Sequence, residues 1–325
     1  MRLRRSRPSG PGWTRRRQGS GFSYMDQDGA VLTGADRDRC EALVLPPAWE
    51  DVWICPDERG HIQAIGRDGA GRRQYAYHPD WRARNDRRKF DRAILLLESL
   101  PVARRGVTID LRRDDSSRER ALAAAFRILD TASPRIGSTR YLDAHGSRGL
   151  STLKGEHVAL DGDRISLRFP GKSGQEWSSE FRDVDLAAYL RRARRRGLAE
   201  PLLSFKDGSW GSPSAADINA DIRQRTGGDF TAKDFRTVHG TLVAARVLAD
   251  EQPQPTEVAR KRAERAAVKA AADTLGNTIS VARASYIDPR IFDLFRDGTT
   301  VDPRGAARSS RRSSPCSPDQ RMRCR

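Results

Sequence analysis

The hydrophobic pattern of this 325-residue chain changes near residue 89 from short strand-like runs to mainly helical spacing, which points to a β-rich first part and a mainly helical second one. From Phe22 to His78 the apolar residues come in short runs, Val52-Trp53-Ile54-Cys55 and His61-Ile62-Gln63-Ala64-Ile65. Turn chemistry separates them at Pro56-Asp57-Glu58-Arg59-Gly60 and Gly66-Arg67-Asp68-Gly69-Ala70-Gly71. These runs predict a small antiparallel β domain. From Phe90-Asp91-Arg92-Ala93-Ile94-Leu95-Leu96-Leu97 onward the spacing is helical, and the charged stretch Arg84-Asn85-Asp86-Arg87-Arg88 suits a linker. The predicted class is α+β: a flexible basic arm at residues 1–20, a β-rich N-terminal domain at 21–88, a mainly helical domain at 89–300 and a disordered basic tail at 301–325.

Inside the helical block, Ser116-Ser117-Arg118-Glu119 reads as a capping box opening a helix to about Thr131. Ser133-Pro134 then stops it, leaving Arg135 at the start of a connection. Alternation at Val158/Leu160, Ile165/Leu167/Phe169 and Trp177/Phe181 predicts a three-stranded meander, with Lys172 on its second turn in Pro170-Gly171-Lys172-Ser173-Gly174. Helices follow at about 185–196, 214–226 and 231–249. In the last of these Thr231 caps and Phe235, Val238, Leu242 and Ala245 form a buried stripe, which leaves Arg236 one position off it and facing outward. A basic helix from Thr256 to Leu275 ends at Gly276, and a short helix carries Tyr286 before Pro289.

Sixty basic against 43 acidic residues give a formal charge of +17, which points to a polyanionic partner, nucleic acid ahead of a membrane surface. No run approaches the ~20 apolar residues of a membrane helix, and the basic N-terminus lacks a secretory apolar core. The expected location is cytoplasmic, associated with the nucleoid. Cys40, Cys55, Cys316 and Cys324 are scattered, and the five histidines form no H-E-x-x-H pattern, so free thiols and no metal are expected. Gly171-Lys172-Ser173 fails as a phosphate-binding loop because Ser166 stands where the pattern requires glycine, and no nucleotide site is expected.

Three basic motifs, Pro134-Arg135-Ile136-Gly137, Pro170-Gly171-Lys172-Ser173 and Lys233-Asp234-Phe235-Arg236-Thr237, precede Tyr286 in the run Thr278 to Ile291. A tyrosine alone is ordinarily core or surface, and one arginine among 53 is ordinarily solvated. Together these residues supply the parts for metal-free attack on a phosphodiester. A phenol is the nucleophile, two guanidiniums hold the charge building on the phosphate, and lysine gives its proton to the departing oxygen. Cations are needed, since a phenol with pKa near 10 is protonated at neutral pH. His239, one turn beyond Arg236, could add a phosphate donor or serve the buried face. A helix break near Gly276 would bring Asn277 beside Tyr286 as a neutral donor; capping the new turn is its rival role. Arg72-Arg73-Gln74-Tyr75-Ala76-Tyr77 reads either as a DNA-facing strand or as one with Tyr75 and Tyr77 in a core.

With these motifs, with Leu45-Pro46-Pro47-Ala48-Trp49-Glu50-Asp51-Val52-Trp53-Ile54, and with the segment Gly66 to Trp81, the chain resembles the type IB DNA topoisomerases of the small bacterial and viral branch, over roughly Pro11 to Gly305. The resemblance implies a C-shaped, two-domain clamp on double-stranded DNA, with a catalytic domain of the topoisomerase IB and tyrosine recombinase type. It implies a monomer that needs neither nucleotide nor metal and relaxes supercoils by transient cleavage of one strand. By motif match Tyr286 is the nucleophile forming a 3′-phosphotyrosyl bond, Arg135 and Arg236 stabilise the transition state, and Lys172 is the general acid. A family position often held by histidine matches Asn277, whose contribution should be smaller and independent of pH near neutrality. Lys233 and Tyr141 match positions that hold the scissile phosphate; Gln74, Tyr75 and Tyr77, with Arg72 and Arg73 beside them, match DNA contacts. Two rivals are a tyrosine recombinase, which would exchange strands between two duplexes, and an architectural DNA-binding protein, which would leave no covalent adduct.

Overall fold

The structure, a computed structural model, describes residues 2–301 apart from the side chains of Tyr141, His145 and Ser173. The predicted tail at 301–325 therefore lies, beyond its first residue, outside the described residues. The chain divides into two compact units, one ending at Lys89 and the other starting at Phe90.

The first unit is built on strands β1 (Trp13–Gln18), β2 (Gly21–Met25), β3 (Glu50–Ile54), β4 (Ile62–Arg67) and β5 (Arg73–Tyr77), with helix α1 (Gly34–Ala42) between β2 and β3. Every pairing is antiparallel, in the order β2-β1-β3-β4-β5. Trp13, Tyr24, Leu32, Cys40, Val52, Ile54 and Ala64 form its core. The flexible arm predicted at 1–20 is not observed, because β1 lies inside this stretch and pairs on both sides. Composition misled here for a physical reason. Trp13 anchors the strand in the core, and the Arg15 guanidinium donates to the carbonyl oxygens of Leu45, Pro46 and Trp49 while stacking 4.1 Å from the Phe22 ring centroid. An arginine so engaged repays part of the cost of ordering.

The predicted linker is also absent. Helix α2 runs unbroken from Pro79 to Leu111, through Arg84–Arg88, and the division between units falls within it. No glycine or proline interrupts the run before Pro101, and Lys89 pairs with Asp86 at 2.9 Å one turn away. The charge run is a stretch of helix exposed nearly all round.

In the second unit α3 (Arg118–Ala132) is capped by Ser117, one residue later than the predicted box, since Ser116 is outside the turn and the Ser117 hydroxyl accepts the Arg120 N–H at 3.4 Å. Ser133 closes α3 in the left-handed conformation, with φ 49°. After α4 (Thr139–His145), the strands β6 (Val158–Asp161), β7 (Arg164–Pro170) and β8 (Glu176–Arg182) form the expected meander in that order. Then come α5 (Val184–Arg194), the hairpin β9 (Phe205–Asp207) and β10 (Ser209–Gly211), α6 (Ala215–Thr226), α7 (Ala232–Glu251), α8 (Glu257–Leu275), α9 (Ile279–Ser285) and α10 (Arg290–Arg296). The main core gathers α3, the meander and the start of α7 around Phe126, Leu129, Ile165, Leu190 and Phe235. A second core joins α7, α8 and α10 through Ala244, Leu248, Ala267, Ile287, Phe292 and Phe295. Among the described residues no helix is long and apolar enough to cross a membrane.

Candidate active site

Helix α7 is the spine of the site. Its first turn is pinned by Asp234, whose carboxylate accepts from the Thr231 N–H and hydroxyl at 2.8 and 2.9 Å and from the Arg92 guanidinium at 3.1 Å. Two expectations for this helix fail. Leu242 is 45% exposed and not part of the buried stripe, and Arg236, expected to face outward, is only 2% exposed. The acceptors explain the burial. Arg236 Nη1 donates to the Ser133 carbonyl and Nη2 to the Leu275 carbonyl, both at 2.8 Å. Those carbonyls sit at the C-terminal ends of α3 and α8, where helices leave acceptors unpaired and the dipole is negative, so a guanidinium is stabilised there.

Tyr286 caps the C-terminal end of α9, half-buried, with its ring centroid 5.0 Å from the Arg236 guanidinium carbon. Its backbone rests on α7. A Cβ at Gly240 would stand 2.6 Å from the Tyr286 carbonyl oxygen, so only glycine permits the approach. The Thr241 hydroxyl donates to that oxygen at 3.4 Å and accepts the Asp288 N–H at 3.1 Å. Burial works to raise the Tyr286 pKa, but the charges of Arg236, Arg135 and Lys233 outweigh it and hold the phenol below its ordinary value. Arg236 is itself held low, by burial first and by Arg135 second.

The left-handed Gly276 ends α8 and turns Asn277 toward Arg135, whose Nη2 donates to Asn277 Oδ1 at 2.5 Å. The Trp177 ring packs against this turn, with Cδ1 2.8 Å from where a Gly276 Cβ would be. Among the described residues four buried side-chain polar atoms have no partner, and three of them, Arg236 Nε, Asn277 Nδ2 and Trp177 Nε1, lie at this site. All three are donors. A cluster of unpaired buried N–H groups is costly and suits an anionic ligand that would accept from it.

The structure therefore brings Arg135, Arg236, Asn277 and Tyr286 together. Lys172 is not in contact with them. It lies on a 3₁₀ turn between β7 and β8, exposed, and its ammonium makes no hydrogen bond or ion pair with another described residue. Lys233 is exposed on the first turn of α7 and acts on Tyr286 through its charge. Tyr141 is on α4, and its side chain lies outside the described residues. The His239 Nδ1 lies 3.2 Å from the Ser133 hydroxyl, so it supports the junction of α3 and α7. In the first unit, Tyr75 and Tyr77 stand 40% and 39% exposed on the edge strand β5, so they are not core; their rings stack at 5.9 Å. Gln74 Nε2 and Arg72 donate to Asp68, which these bonds hold down at about 2, with that from Arg72 the larger cause. Arg73 is exposed beside them.

The parts that Ser133, Trp177, Gly240 and Thr241 play at this site escaped the reading of the sequence. Only Gly240 left a signal there, as a glycine inside a strong helix pattern.

Residues 21–68 match the N-terminal domain of bacterial DNA topoisomerase IB, and residues 78–288, more than half the chain, match the catalytic core of eukaryotic DNA topoisomerase I. Arg135, Lys172, Lys233, Arg236, Asn277 and Tyr286 all fall in the second stretch, whereas residues 72–77 fall between the two. Among curated relatives, the DNA topoisomerase 1B of Acanthamoeba polyphaga mimivirus is 28% identical over 85% of this chain and 84% of its own length. The DNA topoisomerase 1B of vaccinia virus is 26% identical over 81% of this chain and 79% of its own. Match and fold agree, and the chain belongs to the type IB DNA topoisomerases, a family of isomerases.

Proposed function

We propose that this protein relaxes supercoiled duplex DNA as a monomer, without nucleotide or metal, by cutting and resealing one strand through Tyr286. The Tyr286 oxygen attacks the scissile phosphorus as its proton passes to solvent water, and the bond from phosphorus to the 5′-oxygen breaks. A 3′-phosphotyrosyl ester forms, and the 5′-oxygen takes a proton from Lys172 Nζ. Arg236 Nε and Asn277 Nδ2 donate to the nonbridging oxygens and Arg135 adds charge, stabilisation that strengthens as phosphorus becomes pentacoordinate. One ester is exchanged for another, so religation is the same path reversed and needs no fuel. Lys233 and Tyr141 help to hold the scissile phosphate; Arg72, Arg73, Gln74, Tyr75 and Tyr77 contact the duplex. The exposed tyrosine pair on β5 and its cationic neighbours support that last reading.

The observation that carries the proposal is the Tyr286 phenol held low by three cations beside donors that have no partner. The test is relaxation of a supercoiled plasmid in chelator without ATP, with a denaturing gel to catch protein-linked DNA. Wild type should relax supercoils of both signs and leave an adduct at the 3′ end. Tyr286→Phe should do neither; relaxation by that variant, or a strict need for nucleotide, overturns the proposal.

A further inference from the structure

Away from Tyr286, α3, α5 and the β9–β10 hairpin border an open cavity of about 200 Å³ whose lining includes Asp115, Arg120, Tyr189, Arg192, Arg196 and Trp210. Three guanidiniums meet there against one carboxylate in the lining, that of Asp115. Arg196 stacks on the Trp210 ring, 3.8 Å from its centroid, and reaches Glu200 through Nη2 at 3.4 Å. Its Nη1 is buried with no partner, the one such atom outside the Tyr286 site among the described residues. Arg120, itself buried, donates to two backbone carbonyls, Leu111 at 3.2 Å and Asp115 at 2.8 Å. Burial first and the neighbouring charge of Arg192 second hold it below its ordinary range, against the opposing charges of Asp115 and Asp114. The Asp115 carboxylate is turned to Ser117 at 2.6 Å and Arg113 at 2.9 Å. Arg192 pairs only with Asp114, a fully exposed carboxylate that a ligand can displace.

We propose that this cavity binds a phosphate-sized oxyanion, gripped by the Arg196 and Arg192 guanidiniums against the buried charge of Arg120. Forked guanidiniums match the oxygens of such an anion. The Tyr189 hydroxyl does not take part. It accepts the Ser204 N–H at 3.0 Å, and burial pushes it up to about 12, so it walls the cavity as a neutral ring. Free phosphate and a backbone phosphate of nucleic acid share this chemistry, and nothing in the inference depends on the role of Tyr286.

Trp210 makes the site readable. Inorganic phosphate is titrated into the full chain while tryptophan emission is followed, and the same titration of Trp210→Phe is subtracted, so that occupancy near Tyr286 and Trp177 cancels. A saturable Trp210-dependent change is expected, weakened about tenfold or more in Arg196→Gln, with a smaller loss in Arg192→Gln. Arg192 is a surface residue, so its variant carries the test should Arg196→Gln not fold. A short duplex that displaces phosphate from the Trp210 signal identifies a backbone phosphate as the ligand; a duplex that leaves the signal unchanged identifies the free anion. No saturable Trp210-dependent change, or equal binding in both glutamine variants and wild type, overturns the proposal.

Discussion

The residues proposed to act on the phosphate are held on opposite plans. On the side of α7, α8 and α9, Arg236 is buried and tied to the ends of two other helices, Asn277 is tied to Arg135, and the Tyr286 carbonyl rests on Gly240. On the meander, Lys172 lies exposed on a three-residue turn and makes no hydrogen bond or ion pair with another described residue. Preorganised donors stabilise developing charge best when they need not move, and helix ends supply fixed acceptors that orient them. A proton donor must meet an oxygen that only the substrate brings. The comparison therefore predicts that the first side is sensitive to geometry and the second to chemistry alone.

Arg236 should break this contrast most visibly. Arg236→Ala should slow single-turnover formation of the covalent adduct about a thousandfold, by loss of one transition-state donor. It should also lower stability, because the Ser133 and Leu275 carbonyls lose their donor. Arg236→Lys should rescue little, since one ammonium cannot span both carbonyls and still present a free N–H to phosphate. A lysine variant near wild type would show that the double tether is irrelevant. Lys172→Ala should come next, slowing cleavage about a hundredfold with an ordinary 5′-oxygen. The loss should nearly vanish with a 5′-thiol leaving group, which hardly needs a proton, and the melting temperature should not move. Equal slowing of both substrates would take the acid role from Lys172.

The same contrast separates what the sequence disclosed from what it hid. Segments whose pattern is local were legible: the meander with Lys172 on its turn, the stop at Ser133, the left-handed Gly276 and the short helix before Tyr286. Hidden features depend on partners distant in the chain. Arg236 is buried because Ser133 and Leu275, 103 and 39 residues away, offer carbonyls, which helical periodicity cannot encode. The basic N-terminus is ordered for a like reason, since Arg15 finds acceptors 30 to 34 residues on. The charged stretch at 84–88 misled because a polar run is equally an exposed stretch of a long helix.

Gly240 sharpens the comparison by moving the nucleophile without touching its chemistry. Gly240→Ala adds a methyl that meets the Tyr286 carbonyl at 2.6 Å, so α9 and its tyrosine must shift by tenths of an ångström or more. Adduct formation should slow about tenfold or more while DNA affinity is unchanged, because small misplacements of a reacting atom are penalised steeply. A fall in affinity with an unchanged single-turnover rate would place the effect outside the alignment of Tyr286.

The smallest effect distinguishes the two sides by their buried imidazoles. His239, facing Ser133 beneath Arg236, and His157, in contact with Phe169 beneath the meander, are both held below their ordinary pKa, in each case mainly by burial. For a depressed imidazole the unfolded chain binds the proton more readily than the folded one. Stability from each is therefore complete above the unfolded value of about 6.5 and is lost as pH falls through it toward the folded value. Each can contribute a slope of at most about 1.4 kcal/mol per pH unit in that window. Urea unfolding of His239→Asn between about pH 7.5 and 5 should show a shallower loss of stability than wild type, with that of His157 still present. His239→Asn with the full wild-type slope would mean that the imidazole takes up its proton alike in the folded and unfolded chains, so that burial against Ser133 does not disfavour its charged form.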